Sequence, residues 1–263
     1  MPYSIRLEQN LPYLVSSLLP ARHAFLTRNG GVSQGIFSSL NLSAFLGDRP
    51  ECVRENCRRV CSLFGLGEND AAVTCQVHGK SVRIVTEADR HECLTPVSYE
   101  ADAIVTNVEK LPLLCFSADC MPLLMQDPVA GVAAAVHCGW RSSVSDIIGA
   151  TVEAMVSLGA EPERICAATG PSIGFCCFEC GEEVPSGVSA YLSGETDGLF
   201  RPAEEGKTYV DLAEANRRRL IQLGILPEKI DVCRECTFCH PESYWSHRYT
   251  RGKRGVQGAA ICL

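Results

Sequence analysis

Residues 113–116, 122–125 and 131–136 are three apolar runs of buried-strand length, following one another with only short connections between them. No helix fits into those connections. A wholly parallel, doubly wound sheet is therefore excluded, and the chain must build a mixed sheet of the α/β or α+β kind. The flanking segments agree. Residues 22–27 read as a strand before the glycine-rich turn Asn29-Gly30-Gly31-Val32-Ser33. Residues 50–64 read as a helix with Asp48 as candidate N-cap and Val53, Cys57, Val60, Cys61 and Phe64 on one face. Short β-rich runs are expected at 72–77, 81–86 and 103–106. Helices are expected at 142–158, 182–191 and 211–223, and further strands at 164–168 and 256–262.

A chain of 263 residues can bury one sizeable core, so residues 1–263 are expected to form a single domain. The net charge of −7 disfavours nucleic-acid binding. The longest apolar stretch, around residues 129–136, falls far short of the ~20 residues that span a bilayer, so no membrane partner is expected. Cysteine is the unusual count, at 16. A secreted disulfide scaffold fits poorly with this length and apolar content. The expectation is a cytoplasmic protein, acting as a monomer, with most thiols serving as small core residues, Cys57, Cys61 and Cys166 most plainly.

Three side chains stand where strand ends put functional groups: His78 in Cys75-Gln76-Val77-His78-Gly79, Cys120 in Ser117-Ala118-Asp119-Cys120-Met121-Pro122, and His137 in Val136-His137-Cys138-Gly139-Trp140-Arg141. Two imidazoles and a thiolate suit zinc and leave a fourth position for water or substrate, although each of the three also has a purely structural reading. A second group, Cys233-x-x-Cys236-x-x-Cys239-His240, offers four soft ligands in one short segment. It lacks the second Cys-x-x-Cys pair of a zinc ribbon and reads first as reduced thiols in a loop, with a zinc-stabilised binding module as the alternative. Gly170-Pro171-Ser172-Ile173-Gly174 is a turn rather than a Walker loop. Arg28, Arg141 and Arg248 each lie beside Gly or Ser in turn-like contexts, where a guanidinium can hold an anion.

Taken in order, several segments resemble the laccase-domain family, described both as polyphenol oxidases and as purine nucleoside phosphorylases. They are Thr27-Arg28-Asn29-Gly30-Gly31-Val32-Ser33, Ser39-Leu40-Asn41-Leu42, Gln76-Val77-His78-Gly79, Ala101-Asp102-Ala103, Ala118-Asp119-Cys120-x-Pro122, Val136-His137-x-Gly139-Trp140-Arg141, Gly170-Pro171-Ser172-Ile173, Asp211-Leu212 with Asn216, and Ser246-His247-Arg248. The resemblance implies a single-domain α/β/β/α sandwich and a metal site at His78, Cys120 and His137. It implies phosphorolysis of adenosine, inosine and methylthioadenosine, and deamination of adenosine. Its motifs carry Arg28, Asn41, Gln76, Arg141, Ser246 and Arg248 as the substrate-binding set, with purine nucleosides and phosphate as the small-molecule partners. Cys120, His137 and Asp119 are the catalytic candidates, with Asp119 and His247 possible acids by position alone. Zn2+ is the expected cofactor and Cu2+ the alternative. The chain departs from the usual pattern at Cys138, Ser142, Tyr249 and Gly255-Val256.

Two other chemistries compete with this one. A fold-related reading makes Cys120 the nucleophile of a cysteine hydrolase or deamidase with His137 as base. A copper polyphenol oxidase would use the same trio as one copper centre. A full three-copper cluster is disfavoured, because His23, His91, His240 and His247 are scattered and form no His-x-His pair.

Overall fold

The computed structural model describes residues 3–263. The three central apolar runs become Leu113–Ser117, Met121–Asp127 and Val132–Cys138, and they divide between two sheets. The first sheet runs Tyr3–Glu8, Leu11–Ser16, Arg22–Leu26, Gln257–Cys262, Leu113–Ser117, Ala72–Val73. The second runs Ile230–Asp231, Cys166–Thr169, Met121–Asp127, Val132–Cys138, Ala103–Thr106, Val82–Ile84. Most neighbours are antiparallel. The pairs Ala72–Val73 with Leu113–Ser117, Val82–Ile84 with Ala103–Thr106, and Cys166–Thr169 with Ile230–Asp231 are parallel, so both sheets are mixed.

Alternation along the strands explains why two sheets stack. In Val132–Cys138 the residues Val132, Ala134, Val136 and Cys138 face helices, while Ala133 and Ala135 face the other sheet. Both faces are buried, which is why the run reads as continuously apolar. Phe25, Leu113, Cys115 and Ile261 of the first sheet meet Ile104, Leu124 and Ala168 of the second. Helices cover the outer faces. Pro50–Ser62 places Val53, Cys57 and Val60 against Leu26 and Ala260. Ile147–Ser157 and Leu212–Gln222 place Ile148, Val152, Met155 and Leu220 against the second sheet. The order of layers is α/β/β/α. Cys57, Cys61 and Cys166 are core residues, as their pattern indicates.

Several local expectations are corrected. The helix expected at 142–158 is two helices, Trp140–Val144 and Ile147–Ser157. Asp146 breaks it: its φ of 67° is left-handed, and its carboxylate accepts the Gly149 N–H that opens the second helix. Asp48 does not cap Pro50–Ser62; Arg49 holds that position, and Asp48 accepts from Ser33 and Asn41 instead. The strand expected at 72–77 keeps only Ala72–Val73. A small third sheet, Glu179–Cys180, Thr208–Val210 and Phe200–Pro202, was not foreseen; its strands are too short to show a period.

Candidate metal centre

The strand register builds the site. Ala103 pairs with Val136, and the His137 N–H donates to the Asp102 carbonyl at 2.8 Å, so Asp102 lies beside His137 where both strands end. In the neighbouring pair Pro122 lies opposite His137, which brings Cys120, one turn residue before Met121, to the same edge. Ala133, Ala135 and His137 share a face by alternation, so His137 faces the mouth between the two sheets.

His78 arrives on the loop after Thr74 and adopts a left-handed φ of 60°, unusual for a side-chain-bearing residue. Asp102 holds that loop. Its Oδ1 accepts the His78 N–H at 3.0 Å, and its Oδ2 accepts those of Val77 at 3.1 Å and Gly79 at 2.8 Å. The same Oδ1 pairs with His137 Nδ1 at 2.8 Å. One fully buried carboxylate thus fixes a backbone loop and an imidazole together, leaving His137 Nε2 to face the site.

The ligand atoms of His78, Cys120 and His137 lie within 4.8 Å of one another. His78 Nε2 is 3.8 Å from Cys120 Sγ, close to the roughly 3.5 Å nitrogen–sulfur edge of a tetrahedral zinc site. The two imidazoles stand edge to face, 4.8 Å between centroids. Gly139 completes the cradle: a Cβ there would stand 2.8 Å from His78 Cδ2 and 3.3 Å from Cys120 Sγ. Two nitrogens, one sulfur and a carboxylate behind one imidazole are a donor set that fits a divalent transition metal.

Electrostatics within the group favour an anionic sulfur. Burial opposes ionisation of Cys120, but hydrogen bonds from His137 and His78 outweigh it and bring the thiol down to about 6. Burial likewise opposes protonation of His137, yet Asp102 and Cys120 push it up to about 9.

Asn41 is fully buried and bonded to Ser43, Asp48 and the Val256 N–H. Arg28 donates to the Ser38 and Pro241 carbonyls and stacks on Trp245. Ser246 is buried and caps His247–Thr250. Gln76 bonds to Thr74 and to both backbone groups of Phe116, and lines an apolar cavity of about 360 Å³ with Leu42, Phe45 and Cys75 among others. Asp119, at a left-handed φ of 86°, accepts from Thr237 at 2.6 Å and from the Arg248 N–H at 2.7 Å. Arg248 itself donates to the Glu179 carbonyl. Arg141 is exposed, and its guanidinium stacks on Trp140. His247 pairs with Arg254 at 3.3 Å; burial and the Arg254 charge hold its pKa down.

Two contributors carry no signal in the sequence that marks them as site residues. Asp102 appeared there only as a letter in a motif, although an acid heading a wholly buried strand must be paired. Arg254 sits where burial lowers its pKa while the charges of Asp119 and Cys120 oppose that shift, which puts it beside the site.

The sequence of residues 22–263 matches the family model described as multi-copper polyphenol oxidoreductase laccase. The chain belongs to this family. It is 40% identical over 255 residues to a purine nucleoside phosphorylase of Deinococcus radiodurans, covering 96% of this chain and 93% of that protein. It is 33% identical over 231 residues to adenosine deaminase RL5 from an unknown prokaryotic organism, covering 86% and 87%. Among solved structures, YlmD from Geobacillus stearothermophilus superposes with a TM-score of 0.91 at 29% identity, covering 98% of each chain. The Bacillus licheniformis protein YfiH does so with a TM-score of 0.92, also at 29% identity and 98% of each chain. These members share the fold as well as the sequence pattern.

Proposed function

We propose that this family member is a zinc-dependent purine nucleoside phosphorylase, acting on adenosine, inosine and methylthioadenosine, that also deaminates adenosine. The observation that carries the reading is the convergence of His78, Cys120 and His137 with Asp102 fixed behind His137. The relatives named purine nucleoside phosphorylase and adenosine deaminase supply the substrate class. A metal held by the three donors would supply Lewis acidity and an acidified water.

The chain's own residues do the rest. Asp102 holds the proton on His137 Nδ1, so Nε2, which would give up its proton to ligate, is the nitrogen that faces the metal position. Gly139 keeps the wall beside the three donors free of a side chain. Asp119 has both oxygens engaged by protein donors, and we assign it a positioning role on the turn that presents Cys120. Asn41, Arg28 and Ser246 have their polar groups engaged by the protein itself, and we assign the apolar cavity lined by Gln76, two residues before His78, to the purine ring. In phosphorolysis a phosphate oxygen bonds to ribose C1′ as the bond to N9 breaks, so a dianion must be held beside the sugar. Of the three motif arginines, Arg28 and Arg248 donate to backbone carbonyls, whereas among the described residues the Arg141 guanidinium meets the Trp140 ring and no hydrogen-bond acceptor. Arg141 is therefore assigned to phosphate.

The cysteine-hydrolase reading is favoured by one feature, the contact of Cys120 with His137, whose hydrogen bond draws the thiol pKa down. It gives no task to His78, whose strained loop is held in place by three N–H bonds to Asp102. A multi-copper centre does not fit. His23 accepts the Ser16 N–H, His91 pairs with Thr95, and His240 faces Glu235 and Glu242, all apart from the trio. The test is Arg141→Ala. The apparent KM for phosphate should rise at least about tenfold while adenosine deamination, which uses no phosphate, is spared. Equal loss of both activities, or of neither, would remove Arg141 from the phosphate site.

A further inference from the structure

Four thiols from two loops converge away from the His78–Cys120–His137 group. Cys176 and Cys177 lie on the loop after Cys166–Thr169, and Cys236 and Cys239 on the segment after Ile230–Asp231. Their sulfurs all lie within 4.8 Å of one another. Cys177 Sγ is 3.4 Å and Cys176 Sγ 3.7 Å from Cys239 Sγ, against a sulfur–sulfur edge of about 3.8 Å in a tetrahedral zinc–thiolate site. The group differs from the one suggested by sequence spacing. Cys233 turns into the core between the sheets, and His240 turns out to two glutamates. Adjacency in sequence offered Cys233 and His240; the fold replaces them with a Cys-Cys pair some sixty residues earlier in the chain.

Two further observations mark a built site. The Gly174 N–H donates to Cys236 Sγ at 3.2 Å, the kind of bond that supports a metal-bound thiolate. A Cβ at Gly174 would stand 3.3 Å from Cys176 Sγ and 3.2 Å from Cys236 Cβ, so the turn passes the sulfurs where a side chain would crowd them. Cys176 and Cys239 are exposed, which is a poor place for core-filling thiols and one prone to oxidation.

We propose that Cys176, Cys177, Cys236 and Cys239 form a second, structural zinc site with a closed four-sulfur shell. Sulfurs this close surround one ion, not a polynuclear cluster whose thiolates stand on different irons. Loading releases thiol protons as four thiolates form around the dication. The site clamps two loops already joined by backbone bonds, Ser172 N–H to the Glu235 carbonyl and Thr237 N–H to the Ser172 carbonyl. Those loops also grip Asp119, through Thr237 Oγ1 and through the Ile173 N–H to its carbonyl. The second ion thereby braces the turn that presents Cys120.

The test is the zinc content of the full chain and its variants. Wild type should carry about two equivalents, and C236S/C239S and H78A about one each, from different sites. If wild type holds one equivalent and C236S/C239S none, this proposal stands and the metal reading of the His78 site fails. If C236S/C239S keeps the wild-type zinc content, the proposal is overturned. Should the double variant not fold, native alkylation of wild type decides. Zinc-loaded protein should spare Cys176, Cys177 and Cys239, and chelator-treated protein should label them. Equal labelling in both states, or a disulfide among the four in freshly purified protein, overturns it.

Discussion

Asp102 accepts three backbone N–H groups and one imidazole through two oxygens, in a place no water reaches. Burial works against its charge, but the hydrogen bonds from His137 and the Gly79 N–H more than compensate and hold its pKa below the usual carboxylate range. Replacing it with Asn puts an amide N–H among donors and frees the His137 tautomer. Asp102→Asn should weaken zinc binding by about 10–100-fold and lower turnover with it, while leaving the circular dichroism spectrum unchanged. A chelator competition read alongside adenosine turnover checks this, and unchanged affinity would remove Asp102 from the site. At this scale the sequence showed the three donors, because His and Cys at strand ends are rare enough to notice. It hid Asp102 and Arg254, because an acid or an arginine near a turn usually means a solvated charge.

At the scale of elements, Asp127 ends the long strand Met121–Asp127 and is fully buried. It accepts the N–H groups of Val129, Ala130 and Glu161 and pairs with Arg164, tying the turn after its own strand to the loop before Cys166–Thr169. Burial alone would raise its pKa, but these bonds lower it. A carboxyl with a depressed folded pKa stabilises above its unfolded value of about 3.9, and that stability is lost as pH falls through the lower folded value. Asp127→Asn should cost about 2 kcal/mol at neutral pH by urea denaturation, with a smaller further loss than wild type below about pH 4. Parallel acid-unfolding curves for the two proteins would contradict this. Long elements were legible: the strands 113–117, 121–127, 132–138 and 257–262 as apolar runs, and the helices 50–62 and 212–222 by their period. The first strand was not, because Tyr3–Glu8 is exposed over most of its length and has no apolar face to betray it. The break at Asp146 was hidden because its partners, the Gly149 N–H and Arg219, are local in one case and on another helix in the other.

Across the whole molecule, the stacking of two sheets rather than one was implied by family resemblance and not by any period, since periodicity cannot say which strands share a sheet. The cysteine count makes sense at this scale. All 16 thiols are free, and ten of them are buried. Thiol titration of fresh protein under denaturing, non-reducing conditions with a chelator should count all 16. Several missing thiols would place disulfides in the native fold. Among the described residues no helix is long and apolar enough to cross a membrane.

The central claim is that His78, Cys120 and His137 act together as ligands rather than Cys120 and His137 as a nucleophile and its base. His78→Ala separates these, because it removes a ligand and leaves the cysteine–histidine pair intact. Zinc content and turnover of adenosine, with and without phosphate, should be measured on the purified variant. The metal reading predicts that one zinc equivalent is lost and that both activities fall at least about 100-fold. Turnover near the wild-type rate, with the zinc content unchanged, would contradict it.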